Sequence, residues 1–234
     1  MTAPVLVFDL DGTLVDTAAD LVATLNTVLA REEIAPVPFA TARAMVGRGA
    51  RAMITSAIEQ AGGVAGADRL DHLTSTFIAH YSAHIADESR PYPGVPEALQ
   101  RFHDDGWRLA VCTNKIQSLA RKLLMELQLL PRFAAVAGQD TFGVAKPDPR
   151  MLTSTIAAAG GTTAAAVMVG DSSIDVETAR RARVPVVFAT FGYGPAPAPN
   201  APPDRSIGRF SDLYDAVAGL SRPRMDDAPQ GGFP

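Results

Sequence analysis

A chain of 234 residues that is 47% hydrophobic and carries a formal net charge of −4 can bury a sizeable core, either as one domain or as a domain with an insertion. Scattered lysines and arginines under a negative net charge argue against a nucleic-acid partner, and no apolar run reaches the ~18–20 residues that cross a bilayer. A single cysteine, Cys112, excludes an internal disulfide framework; with no basic n-region and no apolar h-region at the start of the chain, a reducing cytoplasm is the expected location.

The first element is Val5–Phe8, "VLVF", an unbroken apolar run of the kind found in strands buried on both faces. It ends at Asp9, with Asp11 and Gly12 close behind. From about Val15 to Tyr92 helical periodicity takes over and no strand is expected. Thr17–Arg31 sets Leu21, Leu25, Val28 and Leu29 on one face, with Thr17 and Asp20 spaced as a capping pair. Thr41–Ala61 is helical apart from "GRG", and Arg69–Ile85 aligns Leu70, Leu73, Phe77, Tyr81 and Ile85. Apolar runs then recur at Arg108–Cys112, Ala134–Ala137, Ala166–Val169 and Val184–Ala189. Helical patterns at Val95–Asp104, Ser118–Leu127, Met151–Ala159 and Asp175–Arg183 alternate with them.

Such alternation denotes βαβ units around a parallel sheet. The expected fold is therefore α/β: a Rossmann-like, doubly wound parallel sheet over residues 1–14 and 93–220, with an α-helical cap domain inserted at 15–92. "PAPAPNAPP" reads as a surface loop unable to join a sheet, Ser211–Leu220 as a last short helix, and 221–234 as a disordered tail.

In open parallel sheets ligands bind beyond the carboxyl ends of the strands, so the polar residues there form one set. Asp9 and Asp11 follow the first strand, Thr113 and Asn114 the second, and Asp171 and Asp175 the fourth, while Lys146 lies in the connection after the third. Carboxylates crowded into one crevice repel unless a cation lies among them, and all-oxygen ligation suits Mg2+. A hydroxyl, an amide and a lysine supply donors for an anion such as phosphate. Singly, Asp171 or Asp175 reads as a helix N-cap, Thr113 as a turn residue and Lys146 as a solvated charge; the joint pattern carries the assignment.

"DLDGT", "CTNK", the lysine of "KPDP" and "GDSSID" resemble, in order and spacing, the four motifs of the haloacid dehalogenase-type hydrolases, and the insertion after the first is similar to their helical cap. The resemblance implies Asp9 as a nucleophile that forms an aspartyl-phosphate. It implies Asp11 as the acid that protonates the leaving alkoxide and then activates water. The Asp9 and Asp171 carboxylates and the Asp11 carbonyl would hold Mg2+. Thr113 and the Asn114 amide would bind phosphoryl oxygens, Lys146 would neutralise charge, and Asp175 would order the metal site or Lys146. Gly12 permits the tight turn that brings N–H groups to the phosphate.

Within the family, Asp11 favours phosphoryl transfer over dehalogenation, which needs no acid there. The absence of lysine before Lys115 closes the phosphonatase branch, and Leu21 stands where β-phosphoglucomutase-type mutases carry histidine. "RAMVGRGARAM" and "FGYG" resemble phosphoglycolate phosphatases, which implies a small phosphorylated metabolite as partner, its carboxylate met by Arg43, Arg48 or Arg51. N-acetylmuramic acid 6-phosphate phosphatases resemble the same cap stretch, and a non-catalytic phosphate-binding protein on this fold is the reading from another class. Oligomeric state is left open between monomer and homodimer. His80 and His84 have a metal-compatible spacing without a third ligand nearby, and read as cap-surface histidines.

Overall fold

Strand β1, Val5–Phe8, has all four side chains fully buried. Its odd and even residues enter different cores: Val5 and Val7 pack on one face of the sheet, Leu6 and Phe8 on the other. This is the consequence of period-two alternation in a strand covered on both sides. The structure is a computed structural model that describes residues 3–220; the expected tail, 221–234, lies outside the described residues.

After β1 come β2 (Val15–Asp16), α1 (Ala18–Arg31), α2 (Phe39–Arg43), α3 (Ala50–Gln60), α4 (Ala67–Ala83) and β3 (Arg90–Pro91). Then follow α5 (Val95–Asp104), β4 (Arg108–Cys112), α6 (Gln117–Glu126), β5 (Ala135–Ala137), α7 (Pro149–Ala158), β6 (Ala166–Gly170), α8 (Ser173–Ala182), β7 (Val186–Ala189), β8 (Arg205–Ile207) and α9 (Leu213–Ala218). The main sheet is six-stranded and parallel in the order β5-β4-β1-β6-β7-β8. The order reverses at β1, which pairs with β4 on one side and β6 on the other, so the crevice beyond these three strands is the switch point where doubly wound sheets bind ligands. Helices α7 and α8 cover one face through Met151, Leu152, Ile156, Val176 and Ala179. Helices α5, α6 and α9 cover the other through Leu99, Phe102, Leu123, Leu124 and Leu213.

Two strand expectations need correction. The helical interval is bounded by the short antiparallel pair β2–β3, in which Val15 faces Pro91 and Asp16 faces Arg90, so it leaves and rejoins the core through paired linkers. A sixth core strand, β8, follows the proline-rich loop; two of its three residues are exposed, as suits an edge strand.

The capping pair also resolves differently. Thr17 makes no side-chain cap bond to α1. Its hydroxyl donates to Asp11 Oδ1 at 2.8 Å. Asp20 is buried and accepts from Glu88 N (3.0 Å), Ser89 N (2.8 Å) and Ser89 Oγ (2.6 Å), which ties the first turn of α1 to the returning linker. Both side chains are buried, and hydrogen bonds to buried tertiary partners take the place of the local cap.

Candidate active site

The end of β1 is tied to β6 by the Asp9 N–H, which donates to the Val169 carbonyl at 2.9 Å. Asp9 is buried, and the Lys146 ammonium lies 2.9 Å from its Oδ1. That ammonium is directed instead at Asp175 Oδ1, 2.7 Å away, and Asp9 Oδ1 is left without an aligned hydrogen-bond partner among the described residues. Burial pushes the Asp9 carboxyl up to about 8; Lys146 counteracts this, and Asp175 and Asp171 add to it. The Lys146 ammonium is disfavoured by burial, but Asp175 and Asp9 outweigh that and hold it charged.

Asp171 stands at the end of β6 and is fixed on both oxygens. Thr13 Oγ1 donates to Oδ1 at 2.8 Å, and the Tyr193 and Gly194 N–H groups donate to Oδ2 at 2.7 and 3.3 Å. Two glycines make room for it. Gly12 has φ +85°, and a Cβ there would lie 2.4 Å from Asp171 Oδ2; one at Gly192 would lie 2.2 Å from the Asp171 Cβ. Burial foremost, and then Asp175, raise the Asp171 carboxyl to about 6.

Asp175 caps α8 in a reciprocal box with Ser172 while it holds Lys146, so the N-cap role and the site role coexist. Ligand oxygens of Asp9, Asp171 and Asp175 lie within 4.8 Å of one another, the one metal-competent grouping of His, Cys, Asp and Glu among the described residues. A buried carboxylate oxygen without an aligned hydrogen-bond partner among the described residues, inside an all-oxygen cluster, fits a hard divalent cation.

Thr113 and Asn114 end β4. The Thr113 side chain is buried and its Oγ1 accepts from Lys115 N at 3.2 Å, which leaves the hydroxyl proton to donate. The Asn114 side chain accepts from Lys146 N (2.9 Å) and donates to Lys146 O (3.2 Å) and to Gly47 O (3.3 Å). It thereby fixes the lysine segment and docks the 47–49 turn of the helical insertion onto the core.

Asp11 faces the other side of the crevice. Besides Thr17, its Oδ1 meets the Lys115 ammonium at 2.9 Å, and Lys115 donates to the Tyr81 hydroxyl of α4 at 3.2 Å. Both Lys115 and Tyr81 are buried. "CTNK" singled out Thr113 and Asn114, but Lys115 belongs to the site too; its position in that motif was the available signal.

A cavity opens between Asp11, Thr113 and Lys115 on the core side and Met45, Gly49, Met53 and Tyr81 on the helical side. The expected cap arginines are placed differently. Arg43 donates to Gly192 O at 3.2 Å and lies over the Tyr193 ring, outside the cavity lining. Arg48 is exposed and does not line the cavity either. Arg51 reaches its edge, paired with Asp71. "FGYG" is likewise absent from the lining: Tyr193 serves Asp171 through its N–H, and its hydroxyl accepts from Ala18 N at 3.0 Å at the start of α1. His80 and His84 stack on one another, His80 against Thr24 and His84 against Asp87. Burial pushes the Cys112 thiol up to about 12, so it is inert as a nucleophile.

An open parallel sheet with carboxylates, a lysine and a threonine gathered at its switch point defines an α/β enzyme of the phosphoryl-transfer type. The profile of the haloacid dehalogenase-like hydrolases matches residues 6–189, and the chain belongs to that family. It is 46% identical over 218 residues to a phosphoglycolate phosphatase of Mesorhizobium japonicum, covering 93% of this chain and 96% of that protein. It is also 46% identical over 215 residues to one of Caulobacter vibrioides, covering 92% and 91%. A crystal structure of a predicted phosphoglycolate phosphatase from Haemophilus somnus superposes with a TM-score of 0.85 at 27% identity, covering 92% of this chain and 98% of that one. No helix among the described residues is long and apolar enough to cross a membrane.

Proposed function

We propose that the protein is a Mg2+-dependent phosphomonoester hydrolase acting through an aspartyl-phosphate, and that its substrate is 2-phosphoglycolate, cleaved to glycolate and phosphate. The observation that carries the reading is the buried Asp9 oxygen, without an aligned hydrogen-bond partner among the described residues and 2.9 Å from the Lys146 ammonium, at the mouth of the central strand. The names borne by the curated relatives support the substrate.

In this reading Asp9 attacks phosphorus, a P–O bond to Asp9 forms, and the bond to the glycolate oxygen breaks. Asp11, on the cavity side, gives its proton to that departing oxygen. It then takes a proton from the water that attacks the aspartyl-phosphate and returns phosphate and free Asp9. Thr113 Oγ1 and the N–H of Asn114, which has no backbone partner among the described residues, donate to the phosphoryl oxygens. Lys146 balances the charge gathered between Asp9 and the phosphate, and Asp175 holds it in place. The cation would be held by the Asp9 and Asp171 carboxylates with the Asp11 carbonyl, and supplies charge neutralisation to the phosphoryl group when bound. Asp175, occupied by Lys146 and Ser172, supports the set from behind.

Residues 15–92 serve as a cap domain over a core made of 1–14 and 93–220, and the protein works in the cytoplasm. The test is a panel of phosphate esters assayed with and without Mg2+. The expected result is Mg2+-dependent turnover with 2-phosphoglycolate preferred; equal or better turnover of hexose or amino-sugar phosphates would remove the substrate assignment.

A further inference from the structure

The cavity beside Asp11 contains a cation that the reaction as described does not use. Lys115 follows Thr113 and Asn114 at the end of β4, with 8% of its surface exposed. Its ammonium has three protons to donate. One is directed at Asp11 (2.9 Å) and one at the Tyr81 hydroxyl (3.2 Å), with the Tyr81 ring centroid 4.5 Å away. The third has no partner among the described residues, and Lys115 lines the cavity. The rest of that lining is largely apolar, with Leu21, Met45, Met53 and Phe77, which raises the value of any charge pair formed within it. The other cation there, Arg51, is half exposed at the rim and already paired with Asp71.

We infer that the Lys115 ammonium, held beside Asp11 by Tyr81, is the receptor for a carboxylate on the leaving alcohol and so sets the specificity of the site for acid-bearing phosphoesters. The inference rests on the phosphatase reading above, in which Asp11 faces the departing oxygen. In 2-phosphoglycolate the carboxylate carbon is two bonds from that oxygen, so a group hydrogen-bonded to the Asp11 carboxyl lies where the substrate's acid must fall. The pairing also explains why the acid receptor comes from the core. A lysine fixed next to the proton donor registers the alcohol against Asp11, whereas an exposed arginine on a helix turn would not.

The experiment compares kcat/KM for 2-phosphoglycolate with that for ethyl phosphate, which has the same two-carbon alcohol without the acid, in the wild type and in Lys115→Met. A charge-assisted hydrogen bond in a desolvated site predicts that the preference for phosphoglycolate falls by about 30-fold to 100-fold in the variant, chiefly through KM. Arg51→Ala changes it by less than about threefold, as expected of an exposed pair. Tyr81→Phe, which keeps the ring but removes the hydroxyl, lowers the preference by about threefold to tenfold and keeps the question open to test if Lys115→Met does not fold.

Equal losses on both esters in Lys115→Met, or an unchanged preference in Tyr81→Phe where only that variant folds, overturn the inference and leave the phosphatase reading intact. A wild type that hydrolyses ethyl phosphate as well as phosphoglycolate overturns both the acid receptor and the substrate, and one that hydrolyses neither overturns the phosphatase reading itself.

Discussion

Asp9, Asp171 and Lys146 take their direct hydrogen bonds and ion pairs from residues of the sheet and its connections: Val169, Thr13, Tyr193, Gly194, Asn114 and Asp175. A short distance away, Asp11 and Lys115 are oriented by Thr17 on the outgoing linker and by Tyr81 on α4. The phosphoryl half of the site thus takes its direct partners from the sheet, whereas the leaving-group half takes partners from residues 17 and 81 of the helical interval. The divided construction lets one phosphoryl chemistry be combined with a separately adjustable choice of alcohol.

Substitution in the phosphoryl half has the largest expected effect. Asp9→Asn replaces the attacking carboxylate by a near-isosteric amide and should lower kcat by at least ~10³-fold on every ester, with the melting temperature retained. Steady-state turnover and a thermal melt check this together. Residual turnover within tenfold of wild type would move the nucleophile away from Asp9 and dissolve the distinction between the two halves.

An intermediate effect is expected one contact further out. Thr13→Val keeps the shape of the side chain and removes the 2.8 Å donor to Asp171 Oδ1. Groups that orient metal ligands typically account for about tenfold to 100-fold in metal affinity. The Mg2+ concentration giving half-maximal activity should rise by that factor, with most of the turnover recovered at saturating metal and the preference for phosphoglycolate over ethyl phosphate unmoved. An unchanged Mg2+ requirement would mean that the Tyr193 and Gly194 N–H groups alone fix Asp171.

The two halves were also unequally legible in the sequence. Val5–Phe8 is apolar at every position and ends in Asp9, so both the buried strand and what it presents can be read from one short run. The paired carboxylates and the lysine of "KPDP" follow from the same logic of strand ends. Lys115 was as visible as its neighbours, but its partner Tyr81 is 34 residues earlier, where helical periodicity identifies it merely as a core residue of α4. Asp20 shows the same limit: local spacing gives it to an N-cap, while folding gives it to Ser89, 69 residues on. Strand β8 escaped because three residues, two of them exposed, carry no periodic signal, and its parallel pairing with β7 is non-local. What is encoded within one element is read from composition and period; what is encoded between elements depends on which desolvated donor reaches an acceptor first.

The smallest expected effect falls on Arg48, and it tests the comparison from the other side. Sequence resemblance offered the arginines of the 43–51 stretch as the acid receptor, which would assign recognition of the substrate to the helical insertion. In the structure Arg48 is exposed and outside the cavity lining, whereas Lys115 is buried and lines it. A surface substitution without partners typically shifts a free energy by no more than about 0.5 kcal/mol, or a little over twofold in a rate ratio. Arg48→Ala should therefore change kcat/KM for 2-phosphoglycolate by less than about threefold, against the far larger loss expected for Lys115→Met. A tenfold loss in Arg48→Ala, confined to phosphoglycolate and absent with ethyl phosphate, would show the 47–49 turn folding inward over bound substrate. Recognition of the acid would then belong to the helical insertion, and the ammonium beside Asp11 would serve the proton donor alone.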